Sequence, residues 1–516
     1  MRKRAMDRRT FLMGAGAATL AAGAGLASCA PGVEKQPDAE AADGAEGGGS
    51  QNRADVAKVD PSEISRTEEY DVVVCGAGSA GLNAAAAASE EGVRVVCLEK
   101  CSSSCAGGWN YGFKNTRHLI EEEGLEDDEL ELIKKIMTAN QGGDPDVIQT
   151  FVKAQSSVGD WMMEVARETG HDYEVQFPVP GLKEAIVHFD DCYGVMTDYV
   201  KSKGGDVVYK AAACQLVTDD SGRVTGVIAR NADTGECVQY NAVRGVVLAT
   251  GGFGGNPDLI RREAPWCDPD ALKDVQPNTV EGGENGDVFA LCEPLDPLIG
   301  VSCEQVHFVG GYYPTEDIFF VDGLGQRFPN NSVMCNNAYP NVRVRVMMDR
   351  PGHCAWAITD SKEGWTEFID ESSPIRADYE GNKAIGYDTL DEVAAEFGFD
   401  PDILKASVDE WNAVVSDGVD PKYGTDLATA LPLDTPPYHV AAAPGETMAF
   451  MGGPRIDSSF RVLSKSYAPI SGLFAAGNSC SGYWGPDYMI GVWFGDNKAW
   501  AATSGYLAGK QAALGE

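Results

Sequence analysis

Three glycines at fixed spacing, in Gly76-Ala77-Gly78-Ser79-Ala80-Gly81, follow directly on the β-branched run Tyr70-Asp71-Val72-Val73-Val74-Cys75. Such a run reads as a buried parallel strand. Glycine at the first position permits a tight turn, at the second it lets backbone approach a pyrophosphate, and at the third it allows close helix–strand packing. Residues 82–89 continue as an Ala-rich helix. Its N-terminus offers phosphates free N–H groups and the positive end of a dipole. A second strand, residues 94–98, ends in Glu99, eighteen residues after Gly81. A carboxylate there accepts hydrogen bonds from ribose hydroxyls and repels a 2′-phosphate. Glycines alone say little, but strand, loop, helix, strand and terminal acid in this order define a dinucleotide site. The candidate binding residues are Gly76 to Gly81, with Ala77, Ser79 and Ala80 between the glycines, and Glu99.

Two later segments favour FAD over NAD. Gly245-Val246-Val247-Leu248-Ala249-Thr250-Gly251-Gly252-Phe253 is a hydrophobic strand running into a glycine turn. Gly472-Leu473-Phe474-Ala475-Ala476-Gly477-Asn478 precedes a final helix at roughly 495–513. Distant segments returning to one nucleotide fold are how large flavoproteins wrap the ribityl chain and isoalloxazine. Thr250, Gly251, Gly477 and Asn478 therefore join the candidate set. No His or Cys is required as a covalent anchor, so the FAD is expected to be non-covalent, and no metal site is expected.

The elements that must position these residues occupy a chain of 516 residues, long enough for two or three domains. Its hydrophobic fraction of 43% is ample for real cores. The net charge of −37 argues against nucleic acid and against docking to anionic lipid. Residues 1–30 read as targeting: Asp7-Arg8-Arg9-Thr10-Phe11-Leu12 fits a twin-arginine export signal, and Leu26-Ala27-Ser28-Cys29 fits a lipobox with Cys29 acylated. A plain signal peptide is the alternative. The expected location is the extracytoplasmic face of the membrane or the periplasm, with membrane contact only through Cys29. Residues 31–66 are polar and small, the composition of a flexible linker. Cys101-Ser102-Ser103-Ser104-Cys105 matches neither a thioredoxin-like motif nor a zinc ribbon, and CxxCH is absent.

From about 69 to 512 the chain resembles the flavoprotein family of soluble fumarate reductases, urocanate-type reductases and 3-ketosteroid dehydrogenases. The resemblance rests on Glu99-Lys100 with Gly107-Gly108, on Ala249-Thr250-Gly251-Gly252-Phe253, on Gly325-Gln326-Arg327-Phe328, on Met451-Gly452-Gly453 and on residues 472–478. It implies an α/β fold: a Rossmann-like FAD-binding domain from 69–260 and 440–516 with an inserted α+β capping domain from 261–439, the substrate lying between. It also implies that Lys100, Gly107 and Gly108 lie beside the pyrophosphate and isoalloxazine. Asn478 would reach the ribityl or ring edge, and Asn285 in Gly283-Glu284-Asn285-Gly286 would match the Asp of a TGDG motif. Arg327 would hold the cap fold.

A fumarate reductase clamps two carboxylates with arginines. Gln305-Val306-His307 keeps the family's His, but Cys335 stands near the position of the proton-donating Arg, and Ala449-Phe450 replaces a His. The second clamping Arg falls on Tyr488 or Val492 in residues 481–492. An aromatic, arginine-poor pocket suits a larger and less charged substrate. The 3-ketosteroid dehydrogenases use tyrosines for proton transfer, so Tyr488, Tyr483, Tyr313 and His307 become the catalytic candidates. The expected activity is reduction of an activated C=C bond in a small-molecule substrate such as an enone, unsaturated acid or steroid-like compound. The chain would act as an anaerobic reductase served by a separate electron donor protein, a cytochrome or flavoprotein. The alternatives are a 3-ketosteroid-type dehydrogenase introducing a C=C bond, and a non-catalytic electron-transfer flavoprotein.

Overall fold

A computed structural model describes residues 59–104, 111–176, 185–271, 274–275, 283–304, 319–328, 345–362, 386–444, 446–447, 449–485 and 493–515. The expected signal segment with Cys29 lies outside these residues. So do Gly107, Gly108, His307, Tyr313 and Tyr488.

The glycine loop joins β1 (Ile64–Cys75) to α1 (Ser79–Glu90), and β2 (Val95–Leu98) follows. Residues 72–75 and all of β2 are buried, the near-continuous apolar character that a parallel strand covered on both faces requires. β3 (Cys237–Leu248) flanks β1 on its other side, and β4 (Pro469–Ala475) lies beyond β3. Along its main path the sheet runs Arg461–Leu463, β4, β3, β1, β2, Asp206–Val208, parallel except for its first strand, while Ala211–Thr218 and Val224–Asn231 join β3 as an antiparallel ribbon. Register pairs Val72 with Val95 on one side and with Gly245 on the other. This is the α/β Rossmann-like sheet expected.

β1 begins at Ile64, inside the stretch read as linker through residue 66. Its first half pairs with the start of β3 from Ile64↔Cys237 to Tyr70↔Ala242, and Arg66 bridges to Glu68 and Glu236 at 2.8 Å each. The β1 half of this ribbon is largely exposed, so its sequence carries no apolar alternation to betray a strand.

Two helices after β2 build one wall. Asp128 caps α2 (Glu129–Ala139) by accepting from Glu131 N–H at 2.9 Å. Asp144 caps α3 (Pro145–Thr169), Pro145 presets its first turn, and Gly170 at φ 76° ends it. The helix α4 (Asp287–Cys292) is short, and α5 (Asp496–Leu514) closes the chain near the expected 495–513. α5 runs against α1 at backbone distance. A Cβ on Gly505 would lie 2.1 Å from Ala80 O, and one on Gly509 2.1 Å from Ala84 O.

A separate antiparallel sheet orders Phe319–Val321, Cys354–Thr359, Tyr438–Pro444 and Gly386–Tyr387. The helices Leu390–Phe397 and Pro401–Asp417 accompany it, the second packing Trp411 5.6 Å from Phe319. Arg327 is buried here, 2.6 Å from the buried Asp420 and 5.3 Å from the centre of the Trp411 ring. It ties strand to helix within this α+β unit.

Both ends of the inserted unit differ from the expected 261–439. Ile299–Glu304 pairs with Ala449–Pro454, and Gly286 N–H donates to Gly252 O at 3.0 Å, so residues 283–304 pack with the Rossmann-like unit. At the other end Tyr438–Pro444 pairs along its length with Cys354–Thr359, carrying the insertion past 440.

Candidate functional site

The carboxyl ends of β1, β2, β3 and β4 meet at one edge of the sheet, where open α/β folds bind ligands. Gly76 turns the chain at φ 101°, and a Cβ on it would lie 2.3 Å from Ala249 O. A Cβ on Gly81 would lie 1.8 Å from Gly76 O. The first and third glycines are therefore fixed by packing among β1, α1 and the end of β3. Gly78 is the N-cap of α1 and gives it no side-chain cap, so the first turn presents bare N–H groups. Ser79 Oγ lies 2.5 Å from the Tyr111 hydroxyl, which locks the rotamer beside that turn.

Glu99 is 7% exposed and accepts from Ala77 N–H at 2.7 Å and Cys101 N–H at 2.8 Å. The glycine loop itself thus orients this carboxylate. Lys100, expected beside the pyrophosphate, reaches Asp287 on α4 at 2.7 Å.

At the ends of β3 and β4, Thr250 Oγ1 and Asn478 Oδ1 are buried without a hydrogen-bond partner among the described residues, and so is Glu284 Oε2. Buried polar atoms are almost always paired, so Thr250 and Glu284, which meet at one glycine turn, and Asn478 beyond the end of β4 are atoms that a polar ligand would complete. The surrounding backbone is shaped to admit one. Gly251 is at φ 81°, Gly477 at φ 68°, and a Cβ on Gly252 would strike Phe450 O at 2.1 Å. These orphaned acceptors and hydroxyls fit the hydroxyls and ring edge of FAD, while the bare α1 turn fits its phosphates.

One residue of the motif is in the wrong phase for its expected part. Asn285 is exposed, with its carbonyl accepting from Asn256 Nδ2 at 3.1 Å. The buried side chain is Glu284, 4% exposed. Burial raises its carboxyl to about 7, against the opposing pull of Gly252 N–H and the charges of Lys498 and Lys100. Lys498, on α5, is itself 9% exposed, 3.4 Å from the Tyr193 hydroxyl and 5.5 Å from the Tyr111 ring centre. Sequence reasoning passed over both. The signal for Lys498 was a lysine in the first turn of an Ala-rich helix.

Tyr483 belongs to an interior cluster instead of an open wall. Its ring stacks on Trp500 at 4.5 Å and 12°, and Phe151 and Trp484 meet it edge-on at 4.7 and 4.5 Å. The hydroxyl is buried without a partner among the described residues, and burial drives its ionisation well above the usual phenol range, with the Asp496 charge adding to this. That environment suits packing and opposes proton delivery. Asn140 stitches the segment to the α2–α3 corner, donating to Tyr483 O and accepting from Gly485 N–H, while Asp144 N–H donates to Gly482 O at 2.6 Å.

A parallel sheet with a glycine loop, a buried carboxylate at the end of its second strand and orphaned polar atoms after its later strands fits the nucleotide half of an FAD-dependent oxidoreductase. The chain belongs to the FAD binding domain family, whose model matches residues 71–491. It is 28% identical to urocanate reductase of Eggerthella lenta over 439 residues, 80% of this chain and 70% of that one. It is 24% identical to digoxin reductase of the same organism over 591 aligned positions, 99% of this chain and 96% of that one. Among solved structures it resembles a 3-ketosteroid-Δ4-(5α)-dehydrogenase from Rhodococcus jostii RHA1, with TM-score 0.65 and 23% identity, covering 86% of this chain and 97% of the other.

Proposed function

We propose that this flavoprotein reduces an activated carbon–carbon double bond in a ring-bearing substrate of low charge, such as an enone, a cinnamate-type acid or a steroid-like compound. When bound, FAD supplies hydride chemistry at carbon. The chain's own residues hold that cofactor through the α1 turn, Glu99, Thr250 and Asn478.

The observation that carries the substrate class is where the cap's cations go. Arg327 is engaged with Asp420 at 2.6 Å, Arg350 lies 3.4 Å from the buried Asp322, and Arg345 stacks 4.8 Å over the Trp266 ring. Arg327, buried on Asp420, is committed to the cap fold and is not available to clamp a dicarboxylate. Similarity to reductases named for urocanate and for digoxin supports C=C reduction and a bulky substrate. Proton delivery falls to Tyr488, with Tyr313 and His307 next, all three outside the described residues. The same reading makes the protein exported by the twin-arginine route and anchored through Cys29.

The test is anaerobic turnover with a reduced artificial donor against enones, cinnamates, steroids and fumarate. Each charge-assisted bond that a buried carboxylate lacks costs roughly 1.5–3 kcal/mol. Fumarate should therefore be reduced at least about a hundredfold less efficiently than the best enone. Equal efficiency would overturn the assignment, and dehydrogenation of saturated ketones with an oxidised artificial acceptor in place of the donor, outpacing the reduction, would reverse its direction.

A further inference from the structure

Glu284 is an acid that its own chain leaves incomplete. Gly252 N–H donates to its carboxylate, but Oε2 is buried with no partner among the described residues. The loop cannot swing this side chain out to water. Gly255 N–H donates to Glu284 O at 2.8 Å and Gly286 N–H to Gly252 O at 3.0 Å, pinning the loop on both sides of the glycine turn. A Cβ built on Gly252 would stand 3.6 Å from Oε2, and one on Gly251 3.8 Å from Oε1. The carboxyl group therefore lies over the turn that carries the orphaned Thr250 hydroxyl.

The charged neighbours do not neutralise it. Lys100, at the end of β2, is paired with Asp287 on α4 at 2.7 Å. Lys498 on α5 points its Nζ at Tyr193 on the Cys192–Ser202 helix, 3.4 Å from the hydroxyl, with the Tyr111 ring alongside. Both act on Glu284 only through space, and burial outweighs them. FAD, which the proposed function places at this turn, offers acceptors at its phosphates, ring carbonyls and ring nitrogens. A carboxylate aimed at such atoms repels them, whereas a carboxylic acid donates to them.

We propose that Glu284 is part of the FAD site and holds a proton there, donating a hydrogen bond from Oε2 to an acceptor atom of the cofactor. Binding of FAD then takes up one proton whenever Glu284 is ionised beforehand. The ionisation near 7 places this coupling in the neutral range. Affinity is full below that value and is lost as pH rises through it, since the ionised form must be protonated first.

The experiment removes FAD and titrates it back, following flavin fluorescence quenching from about pH 5.5 to about pH 8.5 in wild type and Glu284→Gln. For wild type the Kd should stay flat at low pH and then climb toward tenfold per unit, reaching about thirtyfold by the upper limit. Glu284→Gln, which always carries a donor, should give a flat profile and bind more tightly than wild type at the upper limit. A flat wild-type profile, or the same climb in the variant, overturns the proposal. Should the variant fail to fold, calorimetry of wild type in buffers of different ionisation heat reads proton uptake directly. Near one proton per FAD at about pH 8 is expected, and none would overturn it.

Discussion

Tyr483 carries a hydroxyl that the fold buries among three aromatic rings and leaves unmet among the described residues. Such a group costs about 1–3 kcal/mol, which the stacked Trp500 ring and the edge contacts must offset. Tyr483→Phe keeps every ring contact and removes the orphaned oxygen. Stability in urea should therefore be unchanged or higher by about 1 kcal/mol, and turnover should persist. A variant that melts like wild type but loses turnover would return Tyr483 to the chemistry. The same logic separates Tyr483 from Glu284. Both are buried with an unmatched atom, but only Glu284 lies over the Thr250-Gly251-Gly252 turn at the end of β3, where we propose FAD binds.

Between elements, the tightest joint is α5 on α1. Gly505 and Gly509 let the helices touch at backbone distance, and that contact fixes the N-terminal turn of α1, which we propose holds the phosphates of FAD. Gly509→Val drives a side chain toward Ala84 O and should cost about 1–3 kcal/mol or more, with FAD content falling in parallel. Leu514→Ser, on an exposed position of the same helix, should change neither. Should the Gly509→Val protein keep full FAD and its melting temperature, the helices have slack that their contacts do not suggest. This joint was legible only in part. The first glycine motif announces itself because strand, turn and helix each have a local signature, whereas Gly505 and Gly509 acquire meaning only from a partner helix more than four hundred residues earlier. The swap of Asn285 for Glu284 has a related cause. The glycines of Gly283-Glu284-Asn285-Gly286 fix where the turn lies, but which of the two side chains faces inward depends on how the loop is pinned to Gly252 and Gly255. The exposed ribbon at the start of β1 lacked apolar alternation, and α4, at six residues, is too short for a helical period to register.

At the scale of the whole molecule the question is where electrons come from. The chain has no CxxCH for a c-type haem, and its cysteines are scattered singly, with those described free and most of them buried. Burial raises the thiols of Cys75, Cys267 and Cys480, which suits packing and opposes redox exchange. The glycine loop with Glu99 is the dinucleotide fingerprint recognised in the sequence, and in our proposal it serves FAD. If residues 1–30 export the protein, catalysis takes place outside the cytoplasm, away from the pool of reduced nicotinamides. The donor is then another protein docking on a strongly acidic partner of net charge −37, so a basic or metal-bridged contact sensitive to salt is expected. Purified protein with NADH alone should show no sustained turnover, while a reduced viologen should restore it. A basic cytochrome fraction should support a rate that falls as ionic strength rises past about 0.1 M. Cells should carry the protein in the membrane fraction, and Cys29→Ser should release it in soluble, active form outside the cytoplasm. Turnover with NADH alone would remove the need for a partner, and a variant retained in the cytoplasm with full physiological activity would place the donor there.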